Sequence, residues 1–214
     1  MKSLVRVFAP SLLLCFASFC SAANLLTNGS FESVDASAPP YFITSSLSTP
    51  GWTQYLDGVD LVHNSYTQPS PLDVLVAASD GVQFLDMNQA NPIGGLFQEV
   101  SVETGASYHL SLDTTAWAVN SRGGTIGYEL YDPISTTILA SGSYTDSVGG
   151  TWISRTLDAT AINNTLGVRI YGIVAAQAGM GLDNVQLVAS APEPGTFALV
   201  IFAGAGLLHF RRRK

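Results

Sequence analysis

Residues 125–130 read TIGYEL, with Ile126, Tyr128 and Leu130 alternating against Thr125, Gly127 and Glu129. A period of two marks a strand with one face on a core and the other in water. Tyr108, Leu110 and Leu112 repeat the pattern against Ser107, His109 and Ser111; Leu166, Val168 and Ile170 repeat it against Gly167, Arg169 and Tyr171. Fainter versions run over 25–27, 59–63, 82–86, 96–102, 138–143, 151–157 and 182–187. No stretch carries a long amphipathic helical period. About ten short strands punctuated by Gly, Asn, Asp, Ser and Pro predict an all-β fold, an antiparallel β-sandwich. No internal repeat is visible. The Ser-, Pro- and Ala-rich stretches 34–50 and 64–80 predict long loops at the rim, where ligands usually meet a sandwich.

The ends have a different character. Lys2 and Arg6 precede an apolar run over 7–19 that leads into small residues, the layout of a signal peptide over 1–23 cut after Ala22 or Ala23. The run is shorter than the roughly 20 residues a spanning helix needs. Cys15 and Cys20 both lie within the signal peptide, so the mature chain has no cysteine and rests on its core alone. Residues 24–190 then form one domain, closed by Ala-Pro-Glu-Pro at 191–194.

Six of the nine Lys and Arg are terminal, leaving Arg122, Arg155 and Arg169, whereas of sixteen Asp and Glu only Glu193 lies outside the domain. Fifteen acids against three bases exclude nucleic acid as a partner and disfavour polyanions, while suiting bound cations such as Ca²⁺. A cysteine nucleophile and a lysine Schiff base are impossible in the domain, and His63 and His109 read as ordinary strand residues. The P-loop, G-x-S-x-G and H-E-x-x-H patterns are missing. Glycoside hydrolysis survives, because two carboxylates suffice for it, but no pair stands out.

Asp183 shares parity with Val185 and Leu187, so if those two face the core it points inward. A buried carboxylate must be neutral, hydrogen-bonded or on a metal such as Ca²⁺. The run DGVQFLDMNQANPIGG (80–95) offers Asp86, Asn88 and Asn91 but lacks the Gly and Glu of an EF-hand, and reads as strand plus turn. Aromatic rings that stack on sugar faces are the other resource. Trp52, Tyr55, Tyr66, Trp117 and Trp152 lie in or beside polar stretches, and Tyr131 and Tyr171 fall by parity on the wet faces of their strands. A ring in the core is the plain alternative for each.

NLLTNGSFES (24–33), the GW at 51–52, GGLFQEVSVETGASYHLSL (94–112) and GMGLDNVQL (179–187) together resemble the galactose-binding-like jelly-roll domains. These occur in carbohydrate-binding modules and in a related domain family of plant cell-wall and bacterial surface proteins. The resemblance implies a jelly roll with one structural Ca²⁺, held by Glu32 and Asp183 with nearby carbonyls, that clamps the first strand to the last. Ligand positions vary in that family, so the aromatic candidates rest on the residues alone.

The tail is similar to the PEP-CTERM sorting signal of Gram-negative bacteria that make exopolysaccharide: Pro192-Glu193-Pro194, an apolar run, then Arg211-Arg212-Arg213-Lys214. That resemblance implies processing near Pro-Glu-Pro by an exosortase, a membrane cysteine protease, after transient anchoring in the inner membrane. The apolar segment 196–210 would reach about 22 Å as a helix against ~30 Å of hydrocarbon, a poor permanent anchor. Its basic cluster is expected to stay cytoplasmic. The whole chain therefore reads as an exported, non-enzymatic protein that binds extracellular polysaccharide. A glycoside hydrolase and a matrix protein without sugar specificity are the alternatives.

Overall fold

The computed structural model describes residues 22–43, 49–56, 58–67, 74–87, 94–116, 118–119, 124–174 and 179–190. These carry thirteen strands: β1 (Phe42–Ile43), β2 (Thr53–Gln54), β3 (Asp60–His63), β4 (Val74–Leu75), β5 (Gln83–Asp86), β6 (Gly95–Ser101), β7 (Ser107–Ala116), β8 (Ala118–Val119), β9 (Gly124–Tyr131), β10 (Ile138–Asp146), β11 (Ile153–Thr160), β12 (Thr165–Val174) and β13 (Met180–Ala189). One antiparallel sheet has the order β1-β3-β5-β13-β7-β11, a second has β10-β9-β12-β6-β2, and β4 pairs with β8. From β6 to β13 the chain crosses repeatedly from sheet to sheet, the winding of a jelly roll.

The period-two pattern is realised as read. Leu110, Leu112 and Leu187 of the six-stranded sheet and Ile126, Leu130, Leu166, Val168 and Ile170 of the five-stranded sheet are fully buried in one core. Each such side chain contributes about 1.5–3 kcal/mol on burial. The segment 25–27 is not a strand. It is held to β13 by local bonds: Leu25 N–H to the Leu187 carbonyl at 2.8 Å, and the Asn24 side chain to Leu187 N and Val185 O at 2.9 and 3.0 Å.

Two expectations are corrected. The described parts of the stretch 64–80, residues 64–67 and 74–80, include the short β4 and lie over the outer face of the six-stranded sheet, so they cover a surface instead of standing at a rim. Trp152 fixes them there, donating from Nε1 to the Ala77 carbonyl at 2.7 Å, and Asn64 Oδ1 accepts from Ala78 N at 2.7 Å. The face of Asp183 also differs. Asp183 stands opposite Asp113 and Gln186 opposite Ser111, so β13 advances three residues where β7 advances two. That extra residue is a β-bulge, with Asn184 in the left-handed region at φ 49°. Parity breaks there: Val185 and Leu187 fill the core while Asp183 shares the outer face with Asp113. The signal-like segment 1–21, Trp117 and the tail from 191, including Pro192, Glu193, Pro194, Arg211, Arg212, Arg213 and Lys214, lie outside the described residues.

Candidate functional site

The outer face of the five-stranded sheet is built by three aligned rows. Across β6, β12 and β9 these are Gly95, Tyr171 and Gly127; Phe97, Arg169 and Glu129; and Glu99, Gly167 and Tyr131. Directly opposed residues share a face, so register alone brings the middle row together. Arg169 donates through Nε to Glu129 Oε2 at 2.8 Å and through Nη2 to the same oxygen. Tyr171 donates its hydroxyl to Glu129 Oε1 at 2.8 Å, and Tyr131 donates to Glu99 Oε1 at 3.0 Å. The Arg169 guanidinium lies between two rings, 4.8 Å from the centre of Tyr55 and 5.0 Å from that of Tyr131. Tyr55 meets Tyr171 edge-on at 6.2 Å.

Two glycines shape this face. The Tyr131 ring lies across Gly167 and the Tyr171 ring across Gly127, where any Cβ would collide with it. Ser141 and Ser143 of β10 continue the Glu129 and Gly127 rows and are exposed. Glu129 is buried although it faces outward, because Arg169 and the tyrosines cover it. Burial and the bond to Glu99 raise the Tyr131 phenol above its ordinary value; burial and the bond to Glu129 do the same for Tyr171. Both hydroxyls therefore stay protonated donors at any ordinary pH.

A second polar centre lies on the other sheet. Asp183 is fully buried, accepting from Asp80 N at 2.8 Å and Asn184 N at 2.7 Å. Glu32 Oε1 accepts from Val82 N and Gln83 N at 2.9 and 3.0 Å, so both acids hold the turn 79–83. Asp113 Oδ2 accepts from Ser79 Oγ at 2.6 Å and Asn184 Nδ2 at 3.0 Å, and Ser30 Oγ donates to Asp80 Oδ2 at 2.5 Å. Burial pushes Asp183 up to about 7, against the pull of the Asp80, Asn184 and Ser79 amides, and the neighbouring Asp80 charge adds to the rise. Among the described residues no basic side chain pairs with these four carboxylates. The buried Asp183 carboxylate, with the Asp80 charge beside it, suits a hard cation such as Ca²⁺. No three His, Cys, Asp or Glu side chains among the described residues are grouped to hold a metal, so such an ion would need backbone carbonyls beside Glu32 and Asp183.

No family model matches this chain, and no curated protein does. Solved structures resemble it at low identity. The carbohydrate-binding module TmCBM61, solved with β-1,4-galactotriose, is 18% identical over 79% of this chain and 100% of that one, with a TM-score of 0.47. The K2 cleaved adhesin domain of Lys-gingipain is 13% identical over 77% and 97%, also at 0.47. The enzymatically active domain of bacteriophage CBA120 tailspike protein 4 is 15% identical over 78% of this chain, with a TM-score of 0.44. This chain spans only 21% of that tailspike domain. No residue role follows from these likenesses.

Of the seven aromatic candidates, Tyr55, Tyr131 and Tyr171 come together on the one face. Trp52 does not join them. It is buried against Phe31, with ring centroids 5.8 Å apart, and donates Nε1 to the Asn28 carbonyl at 3.1 Å, so its ring belongs to the core. Trp152 packs edge-on against Phe84 at 5.5 Å, and both it and Tyr66 join the small cluster on the outer face of the six-stranded sheet. Sequence reasoning passed over Arg169, Glu129 and Glu99, because an outward charge on a strand reads as solvated. A signal existed: Gly127-x-Glu129-x-Tyr131 and Gly167-x-Arg169-x-Tyr171 are the same spacing on two strands that pair antiparallel.

Proposed function

We propose that this is an exported, non-enzymatic domain that binds neutral extracellular polysaccharide on the tyrosine face of its five-stranded sheet. One observation carries the reading: Tyr55, Tyr131 and Tyr171 are gathered around the Arg169–Glu129 pair, with the Tyr131 and Tyr171 hydroxyls and the guanidinium tied down. Aromatic faces suit the apolar sides of sugar rings, and the carboxylates and the serines Ser141 and Ser143 suit their hydroxyls. Because the rotamers are locked beforehand, little ordering is left to oppose binding. The donors of Arg169 are engaged by Glu129, and the site carries two acids against one base, which favours an uncharged ligand.

Several features favour binding over hydrolysis. Glycoside hydrolysis needs two carboxylates open to substrate. Glu129 is covered by Arg169 and Tyr171, and Asp60 and Asp86, which stand opposite each other on β3 and β5, are both buried. The test is affinity electrophoresis through gels containing neutral polysaccharides, together with a glycan array that includes the host's own exopolysaccharide. The wild-type domain should be retarded, and Tyr131→Ala combined with Tyr171→Ala should migrate freely while its circular dichroism remains that of the folded domain. Wild-type migration unaffected by every glycan would refute carbohydrate binding.

The calcium assignment belongs with this reading. Glu32 and Asp183 supply the carboxylates, and the ion ties the N-terminal segment and the turn 79–83 to β13. Its part is structural. The tail completes the picture as a PEP-CTERM signal that an exosortase cuts near Pro192-Glu193-Pro194, leaving the domain at the cell surface or in the matrix after a stay in the inner membrane. Its support is the motif, the short apolar run and the basic cluster Arg211–Lys214. Intact mass of the exported protein should correspond to a chain that begins near Asn24 and ends near the Pro-Glu-Pro motif. A mass including Lys214 would make the segment a retained anchor.

A further inference from the structure

The two Gly-x-charge-x-Tyr stretches run in opposite directions on adjacent strands, and their register is fixed: Tyr131 opposite Gly167, Arg169 opposite Glu129, Tyr171 opposite Gly127. The tyrosines therefore occupy opposite ends of the same patch, four residues apart along each strand, which is roughly 14 Å. The Arg169–Glu129 ion pair fills the middle. Each ring rests on the bare backbone of the facing glycine, where a larger residue would lift it away. Glu99 and Tyr55 border opposite ends of the patch, with Ser141 and Ser143 along one side.

From this arrangement we propose that the face is a two-seat platform for a stretch of a linear neutral glycan. One sugar stacks on Tyr131, another on Tyr171, and the sugars between them pass over the ion pair. The inference rests on the carbohydrate-binding reading above and adds chain length to it. Arg169 and Glu129 stand between the two tyrosines, so a short ligand fills a single seat and a longer one gains the second without a new loss of overall freedom. Gly127 and Gly167 are positioning residues: they touch no sugar but decide how the rings lie.

Calorimetric titration with β-1,4-linked gluco-, xylo- and galacto-oligosaccharides, from monomer to hexamer, tests this. For the series that binds, affinity should climb about tenfold or more up to the length that reaches both seats, then level off. Tyr131→Ala and Tyr171→Ala should each erase that gain, while Tyr131→Phe and Tyr171→Phe keep it, since the ring and not the hydroxyl forms the seat. Gly127→Val and Gly167→Val should also erase it in samples whose circular dichroism and melting remain those of the wild type. Affinity independent of length, or a loss confined to one of the two tyrosines, overturns the two-seat platform while leaving sugar binding intact. Absence of binding at every length and on every polysaccharide removes the carbohydrate reading itself, and this proposal with it.

Discussion

Stripped of divalent cations, the domain should be less stable at pH 7 than at pH 5, and adding Ca²⁺ should abolish the difference. The cause is Asp183, fully buried and raised to about 7 by burial and by the nearby Asp80 charge. A folded-state value above the unfolded one means that the folded chain holds the extra proton between about pH 4 and pH 7. Stability from this group is whole below that window and falls as pH rises through it, by on the order of 4 kcal/mol when no cation is present. Other displaced carboxylates act elsewhere. Asp35 is held low by Ser37 and Asp132 by Ser135, while in Asp146 the amides of Ala116, Val148 and Gly149 outweigh the upward push of burial. They lose their stabilising contribution only as pH falls below the usual carboxylate range. Chemical denaturation in chelator at the two pH values provides the measurement. Asp183→Asn should flatten the pH dependence and no longer respond to Ca²⁺. A wild type that gains stability from pH 5 to pH 7 in chelator, in parallel with Asp183→Asn, would remove Asp183 from this role.

Arg169→Ala should destabilise the domain by about 3 kcal/mol and abolish glycan binding. The Glu129 side chain has only 8% of its surface exposed, and Arg169 meets it through two nitrogens. Removing the guanidinium leaves a covered carboxylate whose remaining described partner is the Tyr171 hydroxyl, and the cost of that stranded charge exceeds the worth of the pair itself. Tyr55 and Tyr131 also lose the cation that holds them in place. Adding Glu129→Gln to Arg169→Ala should restore roughly half the lost stability, since a neutral amide is far cheaper to bury. It should not restore binding. Urea denaturation of the single and double variants decides the matter: a cost below about 1 kcal/mol for Arg169→Ala would place the pair among ordinary surface ion pairs.

The alternating strands were legible because each antiparallel strand has one wet face, so Ile126, Tyr128 and Leu130, or Leu166, Val168 and Ile170, announce their side of the sheet without knowledge of any neighbour. The same rule put Tyr131 and Tyr171 outside correctly. It failed at Asp183, because a bulge depends on how β13 meets β7 and leaves no mark on composition. The tryptophans show another limit. Trp52 and Trp152 both sit among glycines and polar residues, yet one plugs the core and the other pins a loop, since the path of a loop is decided by distant partners such as Phe31 and Ala77. Arg169 and Glu129 were hidden for the opposite reason: a strand's outer charges are ordinary until the register makes them neighbours.

The single extra residue at Asn184 makes β13 a strand with two phases. Upstream of it Asp183 serves the turn 79–83 on the outside, and downstream Val185 and Leu187 serve the core. Deleting Asn184 would bring the two halves back into step and force a choice, with either a carboxylate among the leucines or those leucines in water. Insertions and deletions near the C-terminal end of the domain are therefore far more dangerous than substitutions there, although β13 is among the last strands made. The length of this strand, as much as its composition, is under constraint.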